Sequence, residues 1–398
     1  MRNRKFGSLD FKVSALGFGA MRLPTKKFLF WKKINEPEAI KMIRYGIDSG
    51  INYVDTAYPY HGGKSEIVVG KALLDGYREK VHLVTKLPIW KVKETADYNR
   101  FLDEQLEKLQ TDHLDIYLFH GMNKGRFKTL KELDLIKEAE AAQSAEKIKH
   151  IGFSFHDNFT VFKEIIDYYD KWTMAQIYYN YMDTALQATT KGLEYAASKN
   201  IAVVIMGPNK GGRLARKPTP EIQALMNKSP IKRSPADWAL QFLWNKPEIS
   251  CVLSGMSTMQ QLKENLESAD KSGIGSLSQE ESDILESIAD IFRKAIKIPC
   301  TACEYCMPCP SGVNIPKNFN LLNETSRRND AGWGRKEYKK LAKDKDSLNT
   351  AKDNGNATLC TECKKCMENC PQEINIPEEL KKVDKVLGQD QSIPDIFG

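Results

Sequence analysis

Eight of the nine cysteines in this 398-residue chain fall between residues 300 and 370, and the ninth, Cys251, stands alone in the first 299. So uneven a distribution divides the chain into two regions with different work to do, and the second region must fold around whatever its thiols bind. The N-terminus, Met1 to Phe6, carries positive charge but no apolar run of a secretion signal follows it. No stretch reaches the ~20 apolar residues of a membrane helix. The expected compartment is therefore the cytoplasm, without membrane insertion. Thiols stay reduced there, and grouped cysteines serve as metal ligands or catalysts rather than as disulfides.

The cysteines form two copies of a repeat. Cys300, Cys303, Cys306 and Cys309 are followed by Val313-Asn-Ile-Pro316; Cys360, Cys363, Cys366 and Cys370 are followed by Ile374-Asn-Ile-Pro377. In each copy three cysteines recur at two-residue intervals and the fourth precedes a proline. Three thiolates so spaced can take three corners of one cubane, while the fourth points away and, in two-cluster ferredoxins, ligates the other cluster. The expected sets are Cys300, Cys303, Cys306 with Cys370, and Cys360, Cys363, Cys366 with Cys309, giving two [4Fe–4S] clusters. The first copy is one residue shorter before its fourth cysteine. Structural zinc is the alternative for C-x-x-C pairs, but it would leave the third cysteine of each triplet without a role. The segment resembles dicluster ferredoxins. Its 50 intervening residues are too many for the compact β-type, so the resemblance implies a mainly α-helical one. Loop signals lie between the copies at Asn329–Gly334 and Asp353–Asn356.

The first region alternates short apolar runs with amphipathic stretches. Expected strands are Val13–Gly19, Ile51–Asp55, Val81–Lys86, Leu114–His120, Ile151–Phe155, Ala175–Asn180, Ile201–Met206 and Ile249–Leu253. Most are continuous apolar runs, as in parallel strands buried on both faces. Expected helices include Glu36–Ser49, Ser65–Leu74, Tyr98–Leu109, Thr184–Lys199 and Pro235–Trp244. Eight such units suit a (β/α)8 TIM barrel; a doubly wound sheet would carry a fuller glycine loop than Leu16-Gly-Phe-Gly-Ala20. Lys5–Phe11 and Lys12–Leu16 should form an N-terminal hairpin, and the basic, aromatic Lys26–Lys33 reads as a loop insertion. The expected architecture is an α/β barrel over residues 1–275, a linker helix over 276–299 and a small, mainly α-helical ferredoxin-like domain over 300–398. Cys251, in an apolar strand, reads as a core residue. The net charge of +7 comes from 59 basic and 52 acidic residues interspersed along the chain. That pattern reads as a solvated surface rather than a nucleic-acid footprint.

Barrel chemistry sits at the C-terminal ends of the strands. The second expected strand ends in Asp55-Thr-Ala-Tyr-Pro-Tyr60, the third at Lys86 and the fourth at His120. A carboxylate, a phenol, an ammonium and an imidazole around one opening suit protonation of a carbonyl oxygen as hydride reaches its carbon. A free tyrosine has a pKa of ~10; a neighbouring ammonium should lower it, with Asp55 holding Lys86 charged. His120 can position the substrate oxygen. Tyr58 is the competing phenol, and spacing favours Tyr60.

With Gly62, Gly63, Ser65 and Glu66, these residues make residues 5–270 resemble the aldo/keto reductase family, and the whole chain is similar to a branch of that family with a C-terminal ferredoxin-type domain. The resemblance implies Tyr60 as proton donor supported by Lys86, Asp55 and His120. It also implies a nicotinamide cofactor, NADP or NAD. Ser154 and Gln176 would contact its carboxamide, Gly211, Gly212, Arg213 and Leu214 its pyrophosphate, and Glu264 and Asn265 its adenine end. Phe155 and His156 stand where the family usually has asparagine after the serine, and Met206 where it often has an aromatic. Gly255 and Gln261 replace the basic residues that grip the 2′-phosphate of NADP, which Lys210, Arg213 or Lys263 could replace.

The leading expectation is an iron–sulfur oxidoreductase that reduces an aldehyde or ketone, or oxidises the alcohol, with clusters that are structural or pass electrons to a partner protein. A hydride carries two electrons and a cubane one, so coupling them calls for a flavin or similar converter, for which the sequence has no fingerprint. The alternatives are a ferredoxin-like electron carrier, or a nicotinamide-sensing regulatory subunit with a non-catalytic barrel. The loops near Trp90, Met122–Phe127 and Lys210–Lys217 are basic and aromatic, which hints at an anionic or aromatic substrate.

Overall fold

The computed structural model describes residues 1–28, 31–328, 330–343 and 355–398. The chain divides into two compact units, Met1–Asp283 and Ile284–Gly398.

The first unit contains strands β1 (Asn3–Phe6), β2 (Leu9–Ser14), β3 (Leu16–Gly19), β4 (Thr25–Phe28), β5 (Trp31–Ile34), β6 (Tyr53–Asp55), β7 (His82–Leu87), β8 (Leu114–Met122), β9 (Ile148–Phe155), β10 (Met174–Tyr178), β11 (Ala202–Met206) and β12 (Ile249–Ser254). Eight of them close a parallel barrel in the order β3, β6, β7, β8, β9, β10, β11, β12, so the doubly wound alternative is excluded. Its helices are α1 (Glu36–Asp48), α2 (Ser65–Ala72), α3 (Asp97–Leu109), α4 (Lys124–Glu132), α5 (Leu135–Ser144), α6 (Phe159–Tyr168), α7 (Thr189–Ser198), α8 (Pro220–Met226), α9 (Pro235–Trp244) and α10 (Met259–Asp270), with α11 (Gln279–Ala295) crossing into the second unit. Several starts are set by side chains. Asn123, Asn158, Ser234 and Thr258 each accept the backbone N–H three residues on, satisfying a donor the helix leaves unpaired.

All nine residues of β8 are buried, which explains its uninterrupted apolar reading. Two apolar layers result. One lies between the strands and the surrounding helices. The other fills the barrel, where Tyr53, Val84, Ile116, Met174, Val204 and Cys251 meet Phe6 and Val13 of the N-terminal hairpin. That hairpin covers the strands' N-terminal ends: Phe11 stacks on His82, the first residue of β7, at 4.0 Å. The opposite end is left for chemistry.

The structure differs from the sequence expectations at several points. The first hairpin turns at Gly7-Ser8, not near Phe11. Gly7 is left-handed there, and a Cβ would lie 2.6 Å from Ala202 N, so only glycine fits. Val13 and Ser14 belong to this hairpin, and the first barrel strand begins at Leu16. The Lys26–Lys33 insertion is a second antiparallel hairpin, β4 with β5, rather than a loop; residues 29 and 30 lie outside the described residues. The helix expected from Thr184 starts at Thr189.

In the second unit α12 (Ile315–Arg328), α13 (Ala331–Lys343), α14 (Ile376–Leu387) and α15 (Ile393–Phe397) enclose a core of Ile298, Val313, Phe319, Leu322, Tyr338, Leu380 and Val383. Helices α12 and α14 each begin at the Asn-Ile-Pro that follows a cysteine group, proline fitting the first turn where no donor is needed. The loop expected at Asn329–Gly334 is the start of α13 from Ala331 onward; Asn329, and Asp353 and Asn354 of the second loop signal, lie outside the described residues.

Candidate active site and cluster-binding loops

Strands β6, β7 and β8 bring Asp55, Lys86 and His120 to one end of the barrel, and the turn after β6 returns Tyr60 over them. The Lys86 ammonium lies 2.7 Å from both Asp55 oxygens and 2.8 Å from the Thr56 carbonyl, and 3.5 Å from the Tyr60 hydroxyl. His120 meets Tyr60 edge-on at 6.1 Å between centroids and Trp90 at 5.0 Å. Tyr58 is elsewhere: its hydroxyl donates to Glu104 and its ring packs against Phe101. The two phenols therefore separate, and Tyr60 alone belongs to the constellation.

Burial dominates the electrostatics. It raises the Asp55 carboxyl and lowers the Lys86 ammonium, and their close contact opposes both shifts. An ammonium donating to three acceptors is the state this geometry satisfies. Tyr60 departs from the sequence expectation. Its phenol is pushed well above the usual tyrosine value, first by burial and then by the Asp55 charge. Lys86, bonded to both Asp55 oxygens, does not offset these two causes. His120 is driven well below its usual value by burial and then by Lys86 and Arg126, so its imidazole is neutral at pH 7. Its Nδ1 is buried without a hydrogen-bond partner among the described residues.

A layer behind Lys86 had no signal in the sequence beyond the Ser65-Glu66 pair. Gln105 of α3 donates to the Lys86 carbonyl and to Glu66, which also accepts from Thr85, while Tyr117 donates to Gln105. The strand carrying the lysine is thereby tied to two helices.

Ser154 and Gln176 are register partners on β9 and β10. Ser154 Oγ accepts from Gly121 N at 2.7 Å, and Gln176 Oε1 is buried with no partner among the described residues, an acceptor suited to a carboxamide N–H. After β11, Lys210, Gly211 and Gly212 are consecutive left-handed residues, a run whose successive N–H groups suit a phosphate. A Cβ on Gly212 would meet nothing, so this turn is open. Arg213 follows it in helical conformation. Asn265 donates to Ser254 Oγ at the end of β12, and Glu264 is exposed and accepts from Gln260. Lys210 does not reach for a ribose phosphate: its ammonium lies buried, 2.7 Å from both Asp183 oxygens, and Asp183 also accepts from Tyr178 and Asn180. Sequence reasoning missed Arg22. Its stem lies against Gly255 and its guanidinium near Gly211. A 3-10 turn after β3 places it there, 233 positions from Gly255, a distance no local pattern reveals.

The cysteine loops curl alike. Ala302 and Glu304 in one copy, and Glu362 and Lys364 in the other, are left-handed at the same places in the repeat. Non-glycine residues adopt that conformation at a cost of about 1–2 kcal/mol each, so something must hold these turns. Burial raises the Cys303, Cys306 and Cys366 thiols, and after it come neighbouring cysteines, with Cys370 of the other copy among those raising Cys303 and Cys306, and Cys309 among those raising Cys366. A small hollow is lined by Cys309, Cys360, Cys363 and Cys366 together. Burial first, then the crowd of neighbouring thiols, pushes Cys366 up to about 11. A cationic iron core would relieve that repulsion, so the donor set fits the group it is expected to hold.

A barrel with this strand-end tetrad and a segment of paired cysteine loops defines an oxidoreductase class. The sequence profile of the aldo/keto reductase family matches residues 15–290, and that of a 4Fe-4S dicluster domain matches residues 299–376. The chain belongs to the aldo/keto reductase family and carries a 4Fe-4S dicluster domain. L-galactose dehydrogenase of Arabidopsis thaliana is 28% identical over 314 residues, spanning 72% of this chain and 94% of that protein. The uncharacterized oxidoreductase YqkF of Bacillus subtilis (strain 168) is 26% identical over 328 residues, spanning 74% and 99%. Among solved structures, the holo form of the aldo-keto reductase AKR11C1 from Bacillus halodurans superposes with a TM-score of 0.60 at 26% identity, over 72% of this chain and 96% of that one. The aldo/keto reductase from Klebsiella pneumoniae, solved with NADP and acetate, shares the fold with a TM-score of 0.59 at 22% identity, over 72% and 95%.

Proposed function

We propose that the barrel reduces an aldehyde or ketone, or oxidises the corresponding alcohol, with a nicotinamide dinucleotide. The observation that carries the proposal is Lys86, bonded to both oxygens of Asp55 and within reach of the Tyr60 hydroxyl beside His120. Tyr60 holds its proton until the substrate oxygen becomes basic, then donates it. The raised phenol pKa keeps that proton available across the neutral range, and Lys86 steadies the phenolate left behind. Neutral His120 orients the carbonyl oxygen. Ser154 and Gln176 would hold the carboxamide, Gly211, Gly212 and Arg213 the pyrophosphate with Arg22 alongside, and Glu264 and Asn265 the adenine end. The nicotinamide supplies or takes the hydride. Turnover of 4-nitrobenzaldehyde by the anaerobically prepared protein with NADPH or NADH tests this. Tyr60→Phe should lower it by about a hundredfold or more and leave cluster absorbance intact; undiminished turnover sinks the assignment.

The second unit would hold two [4Fe–4S] clusters, on Cys300, Cys303, Cys306 and Cys370, and on Cys360, Cys363, Cys366 and Cys309. Cys363 is exposed, which favours one-electron exchange with an outside protein over a purely structural role. Coupling that exchange to hydride chemistry calls for a two-to-one converter, so flavin content is to be measured with iron and sulfide. The cytoplasm suits such thiols, and among the described residues no helix is long and apolar enough to cross a membrane.

A further inference from the structure

Beyond the tetrad, the opening holds a cationic group that the proposed chemistry does not use. Helix α4 begins just past His120, and Asn123 fixes its first turn by accepting from Arg126 N at 2.9 Å. This aims the Arg126 side chain back across the strand end, where Nη1 donates to the Gly121 carbonyl and the guanidinium lies over the Trp90 ring at 5.1 Å. Trp90 in turn meets His120 at 5.0 Å, so those two separations laid end to end bound the distance from guanidinium to imidazole. On the other side His156, whose N–H donates to the Met122 carbonyl, lies near enough to feel the same charge.

We propose that Arg126, with Trp90 and His156 beside it, forms a subsite for a carboxylate on the carbonyl substrate, so that this reductase acts on oxo acids or aromatic aldehydes carrying an acid group. The proposal rests on the reductase reading. The group's chemistry favours it: a guanidinium offers paired donors in the plane a carboxylate presents, and one held by a carbonyl and an aromatic face loses little freedom on binding. The flanking imidazoles are neutral, His156 being pushed down by burial to about 4, so among the described residues the positive charge of the subsite is that of Arg126, which suits a monoanion better than a phosphate dianion. Gln187 Oε1 accepts from His156 Nδ1 at 3.2 Å, and its Nε2 is buried without a partner among the described residues, a donor lacking an acceptor on that side. Trp90 is 41% exposed and offers an aromatic substrate a face or an edge. The neighbouring acid, Asp157, accepts from the Lys124 and Asn158 backbone N–H groups.

Two para-substituted aldehydes of nearly equal shape separate charge from fit: 4-carboxybenzaldehyde and 4-nitrobenzaldehyde. Arg126→Met should lower kcat/KM for the first by about tenfold to a hundredfold, the range of a lost charge-assisted pair, while the second changes by no more than about twofold. The neutral substrate is also the control for folding. Equal losses on both substrates, or no loss on either, overturn the proposal. If the unsubstituted protein reduces neither aldehyde, the reductase reading fails, and calorimetry with 4-carboxybenzyl alcohol decides the subsite. Binding that weakens in Arg126→Met upholds it; binding that is absent, or equal in both proteins, overturns it.

Discussion

A methyl group on Gly255 would come within 2.8 Å of Cγ of Arg22, so the absence of a side chain at one residue is what lets the other lie across the barrel end toward Gly211. A cation from the first strand–helix loop thus lies beside the last one. On this reading Arg22→Ala raises KM for NADPH by about tenfold with little change in kcat, because it removes binding that ground state and transition state share. Gly255→Val, which displaces the same stem, gives the same split. Steady-state kinetics in NADPH and NADH check both, and an unchanged KM in Arg22→Ala removes Arg22 from the nucleotide site.

The proposed crossing of the fourth cysteines between the two clusters predicts a pattern in double variants. Cys303→Ser with Cys370→Ser strikes one cluster twice and leaves about half the iron. Cys363→Ser with Cys370→Ser strikes both clusters and loses nearly all of it. Ligation within each sequence copy predicts the reverse order, since Cys363 and Cys370 would then share a cluster. Iron and acid-labile sulfide per chain, measured anaerobically, tell the two apart.

Much of this was legible because the relevant signals are local. The uninterrupted apolar run of β8 announces a strand buried on both faces, and Asp55, Lys86 and His120 stand at strand ends where a barrel must place them. The cysteine spacing is likewise a pattern within a dozen residues. What escaped depends on contacts between distant segments. Arg22 acquires its place only when β3 and β12 become neighbours. Lys210 looked available for a phosphate until the fold brought Asp183 to it, and the direction of the Tyr60 shift follows from burial together with the charge of Asp55. The β4–β5 hairpin read as a loop because its basic residues lack the apolar alternation of a half-buried strand.

The Asp183–Lys210 pair is buried, at 4% and 5% exposure, beneath the turn that carries Gly211 and Gly212. Removing one partner strands a charge, so Asp183→Asn should destabilise the barrel by about 3–5 kcal/mol. Asp183→Asn with Lys210→Met, which removes both charges, should recover a large part of that. Urea unfolding followed by tryptophan fluorescence measures the cycle. Equal destabilisation by the single and double variants would mean that the pair's geometry matters and its charge balance does not.

The shifts on Tyr60 and His120 point away from each other, and their directions fix the pH dependence of reduction. Tyr60 must be protonated to act as the acid, and its pKa lies well above 10, so its proton is lost only on the far alkaline side. His120 must be neutral to orient the oxygen, and its pKa lies well below 6.5, so it takes up a proton only on the far acid side. Between these limits neither group changes state. The kcat/KM for a neutral aldehyde should therefore be flat from about pH 6.5 to 9, the span left between the ordinary histidine and tyrosine values. Replacing Lys86 by Met should lower the plateau by about a hundredfold or more, because the phenolate formed on proton donation loses its cation. A bell with a limb centred between pH 7 and 8 in the unsubstituted protein would show that some other group carries the proton.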